Sequence, residues 1–195
     1  QGELPVAWQD LESEFWRIVE EPTRAIRVMY GSDLDTSTVG SGFPLPQHPI
    51  NDGEPIASSP WNLNIFPTIR GSLLKYLAHD INGISVPWLY CGSLFTSFCY
   101  HVEDLHMMSI NYMHESDCEE TGGKIWYGSP PGEGALLFEA ALRSSVPRLF
   151  EAQPDLGHDI VTMVSPVELI DRGAKVYRTI QRPGEFVVTL PQSYH

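Results

Sequence analysis

The fold prediction starts from the stretch Phe98-Cys99-Tyr100-His101-Val102-Glu103-Asp104. Its run of apolar and aromatic residues is typical of a buried β-strand. Residues two positions apart in a strand point to the same face, so His101 and Glu103 are expected to project side by side. Charged groups are rarely buried unless they are paired or bind a metal. The stretch therefore predicts a metal site on a β scaffold, although a hydrogen-bonded polar pair in the core would leave the same pattern.

The end of the chain supplies a third candidate ligand, His195, in Pro191-Gln192-Ser193-Tyr194-His195. Two histidines and one carboxylate on a β scaffold form the ligand set of non-haem Fe(II) oxygenases, which leave metal positions open for a co-substrate and O₂. Two other chemistries lack their motifs. The sequence contains neither the His-Glu-x-x-His pattern of zinc proteases nor the Gly-x-Ser-x-Gly elbow of serine hydrolases.

Length and charge limit the classes of protein. The 195 residues are enough for one domain. The formal net charge of −13 argues against direct nucleic-acid binding by this segment; it suits a basic partner such as a histone tail, or simply solubility. The sequence has no continuous run of about 18 apolar residues, so it predicts no membrane-spanning helix. The chain begins at Gln1 without a visible signal peptide, so we expect an excerpt of a longer protein. Three cysteines without zinc spacing indicate a reducing compartment.

The hydrophobic pattern predicts a β-rich core with peripheral helices. Helices are expected over residues 9–20, 72–78, 136–142 and 155–164, and a long polar loop over residues 31–60. Strands are expected over residues 24–30, 86–91, 93–102, 107–113, 124–128, 174–180 and 186–190. Several strands bounded by turns favour a barrel or jelly roll, in which ligands from distant strands can meet at one mouth. We expect residues 1–60 to pack on a barrel of residues 61–195 as one domain overall.

A second group of polar residues suggests a small-molecule pocket. Ser109 and Asn111 are two apart on an expected strand, and Lys124 opens another. Near a metal, a lysine with serine, asparagine and tyrosine hydroxyl or amide groups could hold a dicarboxylate. The alternatives are a hydrogen-bonded pair at a sheet edge and an ordinary surface lysine.

Read in order along the chain, these segments closely resemble the Jumonji C (JmjC) domain of histone lysine demethylases. The resemblance is carried by the segments already quoted around His101 and His195, and by Ser109-Ile110-Asn111-Tyr112, Lys124-Ile125-Trp126-Tyr127-Gly128 and Gly184-Glu185-Phe186-Val187-Val188-Thr189-Leu190-Pro191. The JARID1 subfamily, which acts on methylated lysine-4 of histone H3, is the most similar. That choice is supported by Tyr30-Gly31-Ser32-Asp33, Trp61-Asn62-Leu63-Asn64 and Pro87-Trp88-Leu89-Tyr90.

The resemblance implies a double-stranded β-helix, a cupin-like jelly roll, incomplete at the C-terminus. It implies Fe(II) held by His101, Glu103 and His195, with 2-oxoglutarate and O₂ as co-substrates. The residues it assigns to 2-oxoglutarate are Tyr30, Phe98, Ser109, Asn111 and Lys124. It makes Tyr90 a candidate for the methyl-lysine channel, whereas a core tyrosine with a satisfied hydroxyl is the plain alternative.

The implied function is N-methyl hydroxylation of histone lysine in the nucleus, with release of formaldehyde and succinate. The implied partners are the methylated histone H3 tail and chromatin-associated proteins. Two readings stay open. Residues 105–108 and an acidic insert at residues 115–123 depart from the family pattern, which would suit a catalytically impaired chromatin scaffold. A protein hydroxylase on the same fold would give a stable alcohol instead.

Overall fold

The computed structural model describes residues 7–23, 25–45, 54–118, 121–152 and 163–195. The chain forms two compact units: one combines the described parts of residues 1–26 and 97–195, and the other consists of residues 27–96. This grouping differs from the expected division at residue 60, which stays a prediction about domains. Within the described ranges, no helix has the length and apolar character needed to cross a membrane.

The unit of residues 27–96 contains one antiparallel strand pair. Strand β1 (Tyr30–Asp35) pairs with β2 (Trp88–Gly92), and a register shift between Gly31 and Leu34 interrupts the ladder. Helix α2 (Thr36–Val39) follows β1 directly, because the Asp35 carboxylate accepts a hydrogen bond from the Ser37 N–H at 2.9 Å. Short 3₁₀ turns lie at Pro55–Ser58, Phe66–Thr68 and Leu74–Tyr76.

The other unit carries the remaining regular elements. They are α1 (Trp8–Glu20), β3 (Ser109–Tyr112), β4 (Lys124–Gly128), α3 (Glu133–Ser145), α4 (Pro147–Ala152), α5 (Pro166–Asp171), β5 (Tyr177–Gln181) and β6 (Phe186–Thr189). The strands form two antiparallel pairs. In β3–β6, Ser109 lies opposite Thr189, and in β4–β5, Lys124 lies opposite Gln181. Both predicted binding segments therefore become strands paired with the C-terminal part of the chain.

The core of this unit packs helices α3 and α5 against two strand-like segments. Phe138 and Leu169 are fully buried at its centre. The Phe138 ring makes an edge contact with Tyr100, at a centroid distance of 5.0 Å, and stacks on Tyr194 at 5.1 Å. Tyr100 and Tyr194 each precede a histidine predicted as a metal ligand. Because neighbours in an extended chain point to opposite faces, burying both tyrosines turns both histidines away from the core.

Several predicted elements are confirmed with small shifts of their ends. The expected helix at residues 9–20 is α1, that at 136–142 lies within α3, and the strand at 124–128 is β4. The strands expected at 86–91, 107–113, 174–180 and 186–190 appear as β2, β3, β5 and β6. The expected helix at 155–164 lies mostly outside the described residues.

Other predictions were wrong. The strand expected over residues 93–102 is absent from the described structure, because Thr96 N–H donates to the Ser93 carbonyl at 3.1 Å and closes a turn with Phe95 at φ 67°. The strand expected at 24–30 begins only at Tyr30, where Gly92 provides its first partner. The expected loop of residues 31–60 contains most of β1 and all of α2, and the expected helix at 72–78 is only a 3₁₀ turn.

The buried hydroxyl of Tyr100 generates a stability prediction. It has no hydrogen-bond partner among the described residues, and an unsatisfied buried polar group costs about 1–3 kcal/mol. We expect Tyr100→Phe to raise the free energy of unfolding by about 1 kcal/mol, measured by urea denaturation. The matched control is Tyr127→Phe, which removes a hydroxyl that accepts from the Trp16 indole N–H and donates to Glu12, and should lower stability by a similar amount. Destabilisation by both substitutions would contradict the prediction.

Candidate metal centre

A reciprocal backbone pair brings His101 and His195 together. The His101 N–H donates to the His195 carbonyl at 3.1 Å, and the His195 N–H donates to the His101 carbonyl at 3.0 Å. Two residues that exchange both hydrogen bonds are directly opposite in an antiparallel arrangement, so their side chains share one face. Their ring centroids lie 4.4 Å apart. The local strand-like pairing that the sequence predicted for His101 is therefore supplied by the last residue of the chain.

The hydrogen bonds of both imidazoles select the tautomer that suits a metal. Nδ1 of His101 lies 2.9 Å from the Cys99 carbonyl oxygen, and Nδ1 of His195 lies 3.1 Å from the Ser193 carbonyl oxygen. A carbonyl only accepts, so each Nδ1 carries a proton, and each Nε2 is the ring nitrogen left to face a metal. Burial, and next the neighbouring His195, lower the pKa of His101. Both effects favour the neutral imidazole that binds metals.

Glu103 completes the group. Its Oε1 lies 3.4 Å from Nε2 of His195. Hydrogen bonds from His195 and Ser109 outweigh the opposing effect of burial and lower the pKa of Glu103 to about 2, so the carboxylate is ionised at neutral pH. One ligand atom from each of His101, Glu103 and His195 lies within 4.8 Å of the others. Two imidazoles and one carboxylate on one face suit a divalent transition metal with open positions.

Lys124 lies at the start of β4 with its ammonium group between two aromatic rings. Nζ is 3.9 Å from the ring centroid of Phe98 and 4.3 Å from that of Trp126. Burial lowers the pKa of Lys124 to about 8, and its charge contributes to the lowered pKa of His101. The structure records no ion pair for Lys124 in the described ranges. A half-buried cation that lies near the histidines and contacts two aromatic rings is suited to an anionic ligand.

Ser109 and Asn111 project from β3 on one face, since they are two residues apart. The Ser109 hydroxyl lies 2.5 Å from the Thr189 hydroxyl, and it contributes to the lowered pKa of the Glu103 carboxylate. Ser109 therefore favours the ionised form of a candidate metal ligand and also lines the face that Asn111 shares. Asn111 is half-buried, and its proposed contact with a co-substrate stays a prediction.

The two predicted tyrosines belong to the unit of residues 27–96. Tyr30 on β1 and Tyr90 on β2 stack with ring centroids 6.4 Å apart. The Tyr90 hydroxyl donates to the Asp33 carboxylate at 2.8 Å, so it is satisfied within its own unit. The roles assigned to Tyr30 in co-substrate binding and to Tyr90 in a substrate channel stay predictions.

Sequence reasoning missed Trp126, Thr189 and Phe138 as parts of this centre. Trp126 could have been found, because it is two residues after Lys124 and must share its face of β4. Thr189 and Phe138 carried no such signal. The register of β3 against β6 decides which residue meets Ser109, and the packing of α3 decides which ring supports the two tyrosines.

Comparisons with known proteins show the family to which the chain belongs. A model of the family described as JmjC domain, hydroxylase, matches residues 88–195. The chain is 49% identical over 189 residues to lysine-specific demethylase JMJ703 of Oryza sativa subsp. japonica, an alignment covering 96% of the chain and 15% of that protein. It is 50% identical over 192 residues to putative lysine-specific demethylase JMJ16 of Arabidopsis thaliana, covering 97% and 15%. Against lysine-specific demethylase 5B of Gallus gallus it is 42% identical over 188 residues, covering 95% and 12%.

The chain belongs to the JmjC domain family. The predicted family and its cupin-like jelly-roll fold class are thereby confirmed, since the family model covers more than half of the chain. The chain spans between 12% and 15% of the length of these three relatives.

Metal binding by the His101, Glu103 and His195 group is directly testable. We expect His101→Ala to weaken the affinity for Mn²⁺ by more than about 100-fold, since loss of an outer hydrogen-bond partner alone costs about 10- to 100-fold. Isothermal titration calorimetry measures the change. The control His79→Ala removes an exposed histidine outside the group and should leave the affinity unchanged. Equal Mn²⁺ affinity in both variants would exclude the site.

Proposed function

We propose that this chain is the catalytic segment of an Fe(II)- and 2-oxoglutarate-dependent histone lysine demethylase. One observation carries the proposal: two imidazoles and an ionised carboxylate lie close together, near a half-buried lysine whose ammonium group contacts two aromatic rings and forms no ion pair among the described residues. A metal bound by the first group leaves positions for a chelating ligand, and the lysine suits its distant carboxylate. Membership of the JmjC domain family and similarity to lysine-specific demethylases support the same chemistry.

In this proposal, His101, Glu103 and His195 hold Fe(II), and Lys124 with Phe98, Ser109, Asn111 and Tyr30 holds 2-oxoglutarate. Bound iron, with 2-oxoglutarate and O₂, supplies the oxidising power to hydroxylate an N-methyl group, yielding succinate and CO₂. The chain's own residues disfavour the charged form of His101, keep Glu103 ionised and present the Lys124 ammonium to the distal carboxylate. Holding these groups before the reaction lowers the cost of orienting the co-substrate.

The proposed substrate is methylated lysine-4 of the histone H3 tail. A hydroxylated N-methyl group loses formaldehyde and leaves the amine with one methyl fewer. The segments that resemble the JARID1 subfamily support lysine-4 as the position that is demethylated. The net charge of −13 suits a basic histone tail. Tyr90 is the proposed channel residue. From the proposed histone substrate we also infer a nuclear location and chromatin-associated proteins as partners.

The test is mass spectrometry of histone H3 peptides incubated with the full-length protein, Fe(II) and 2-oxoglutarate. We expect stepwise loss of methyl groups from a peptide trimethylated at lysine-4, and no loss with His101→Ala, because the variant lacks a proposed iron ligand. A second peptide trimethylated at another lysine tests the position. A product heavier by one oxygen would favour a protein hydroxylase, and no product despite bound iron and 2-oxoglutarate would favour a scaffold.

Lys124 gives a second test, on stability. Burial lowers its pKa from 10.5 to about 8, so the unfolded chain holds this proton more tightly and the charge opposes folding at pH 7. We expect Lys124→Met to raise the free energy of unfolding at pH 7 by about 1–3 kcal/mol, the lost cation–π contacts offsetting part of the gain. The gain should shrink as the pH rises through 8 towards 10, because the wild-type lysine then becomes neutral in the folded state.

The Lys124→Met variant should also have a lower affinity for 2-oxoglutarate. Titration calorimetry of the Mn²⁺-loaded protein measures this loss beside urea denaturation. The control Lys175→Met changes an exposed lysine and should alter neither quantity. If Lys124→Met binds 2-oxoglutarate as tightly as the wild type, Lys124 has no role in the proposed 2-oxoglutarate pocket.

A further inference from the structure

Gln181 ends strand β5 as a completely buried amide whose polar atoms are all used. Its exposed fraction is 0%. Oε1 accepts a hydrogen bond from the Trp126 indole N–H at 2.9 Å. Nε2 donates to the carbonyl oxygens of Asn111, at 3.2 Å, and Glu185, at 3.0 Å. Buried side-chain amides with both ends satisfied are costly to replace, because any apolar substitute leaves their partners unpaired.

These bonds join the two strand pairs of the unit. Gln181 lies opposite Lys124 in β5–β4, so both side chains share one face with Trp126, two residues further along β4. Its amide nitrogen reaches β3 at Asn111 and the turn between β5 and β6 at Glu185. One side chain therefore links β4, which carries Lys124, to β3, which carries Ser109 and Asn111.

Trp126 is the contact through which Gln181 reaches the metal centre. The tryptophan ring lies 4.3 Å from Nζ of Lys124 and stacks at 6.1 Å, between centroids, on the His195 ring. An indole can rotate about two side-chain torsions, and the bond from its N–H to Gln181 fixes the orientation seen here. A change in that orientation would alter the surroundings of Lys124 first.

We propose that Gln181 is a positioning residue that preorganises the pocket for a dicarboxylate co-substrate without touching that ligand. It orients Trp126 against Lys124 and holds β3 at Asn111. The inference rests on the proposed function for the identity of the ligand. Glutamine is suited to this position because one end of its side chain accepts from the indole while the other donates to two carbonyl groups. A leucine satisfies neither end, and a glutamate places an oxygen against the carbonyls.

The test compares Gln181→Leu with a core control in the full-length protein. The control Leu169→Ala empties a fully buried site on α5 and destabilises the fold without touching the pocket. Calorimetry gives the affinity for Mn²⁺ alone and then for 2-oxoglutarate with saturating Mn²⁺. We expect Gln181→Leu to weaken 2-oxoglutarate binding about tenfold while Mn²⁺ affinity changes less than about twofold. Leu169→Ala should change neither affinity.

Hydrogen–deuterium exchange of the ligand-free protein provides a readout that does not depend on 2-oxoglutarate. In Gln181→Leu, peptides covering residues 109–113 and 124–128 should exchange faster than in wild type, because both strands lose a hydrogen bond to the Gln181 side chain. In Gln181→Glu, which keeps the volume and the acceptor for Trp126, only residues 109–113 should exchange faster. This second variant decides the question if Gln181→Leu does not fold.

Two results would overturn the inference while leaving the proposed function standing. One is wild-type affinity for 2-oxoglutarate in both Gln181 variants. The other is a parallel loss of Mn²⁺ and 2-oxoglutarate affinity, which indicates a structural role only. If the wild-type protein binds Mn²⁺ but no 2-oxoglutarate, the proposed function and the inference fall together.

Discussion

The candidate centre depends on the backbone pair between His101 and His195. Two hydrogen bonds join residues far apart in sequence and place both imidazoles on one face. The same extended geometry places Tyr100 and Tyr194 on the opposite face, where both rings pack against Phe138 in the core. Burial of the tyrosines thus supplies the stabilisation, and the histidines gain a fixed position without contributing to the core.

Charge in the centre is arranged at a cost to folding. Burial lowers the pKa values of His101 and Lys124, which means that their charged forms are disfavoured there. Only Glu103 is stabilised as an ion, by hydrogen bonds from His195 and Ser109. Natural proteins keep such unfavourable groups mainly at functional sites, where a ligand compensates them. A dication among the three ligands and a carboxylate near Lys124 would supply the missing opposite charges.

Some features of the centre could be predicted from the sequence and others could not. The pair of His101 and Glu103 could be predicted, because a spacing of two in an extended chain places both side chains on one face. The Ser109 and Asn111 pair and the strand beginning at Lys124 followed from the same rule, and α1 from its helical spacing. The prediction of a strand over residues 93–102 was wrong, because a hydrogen bond between Ser93 and Thr96 closes a turn there. This turn depends on the positive φ of Phe95, which the apolar composition of the segment does not indicate.

From the sequence alone, the resemblance of an ordered series of segments therefore identified the family, while local spacing and side-chain chemistry indicated a β-rich fold and the types of residue able to bind a metal and an anion. Tertiary structure alone decided which residues meet. The register of β3 against β6 brings Thr189 to Ser109, and that of β4 against β5 brings Gln181 opposite Lys124. Register between strands far apart in sequence is selected by the packing of whole faces, with α3 and α5 behind them. No short stretch contains that information, because shifting one strand by a single residue would preserve every local pattern while exchanging the two faces.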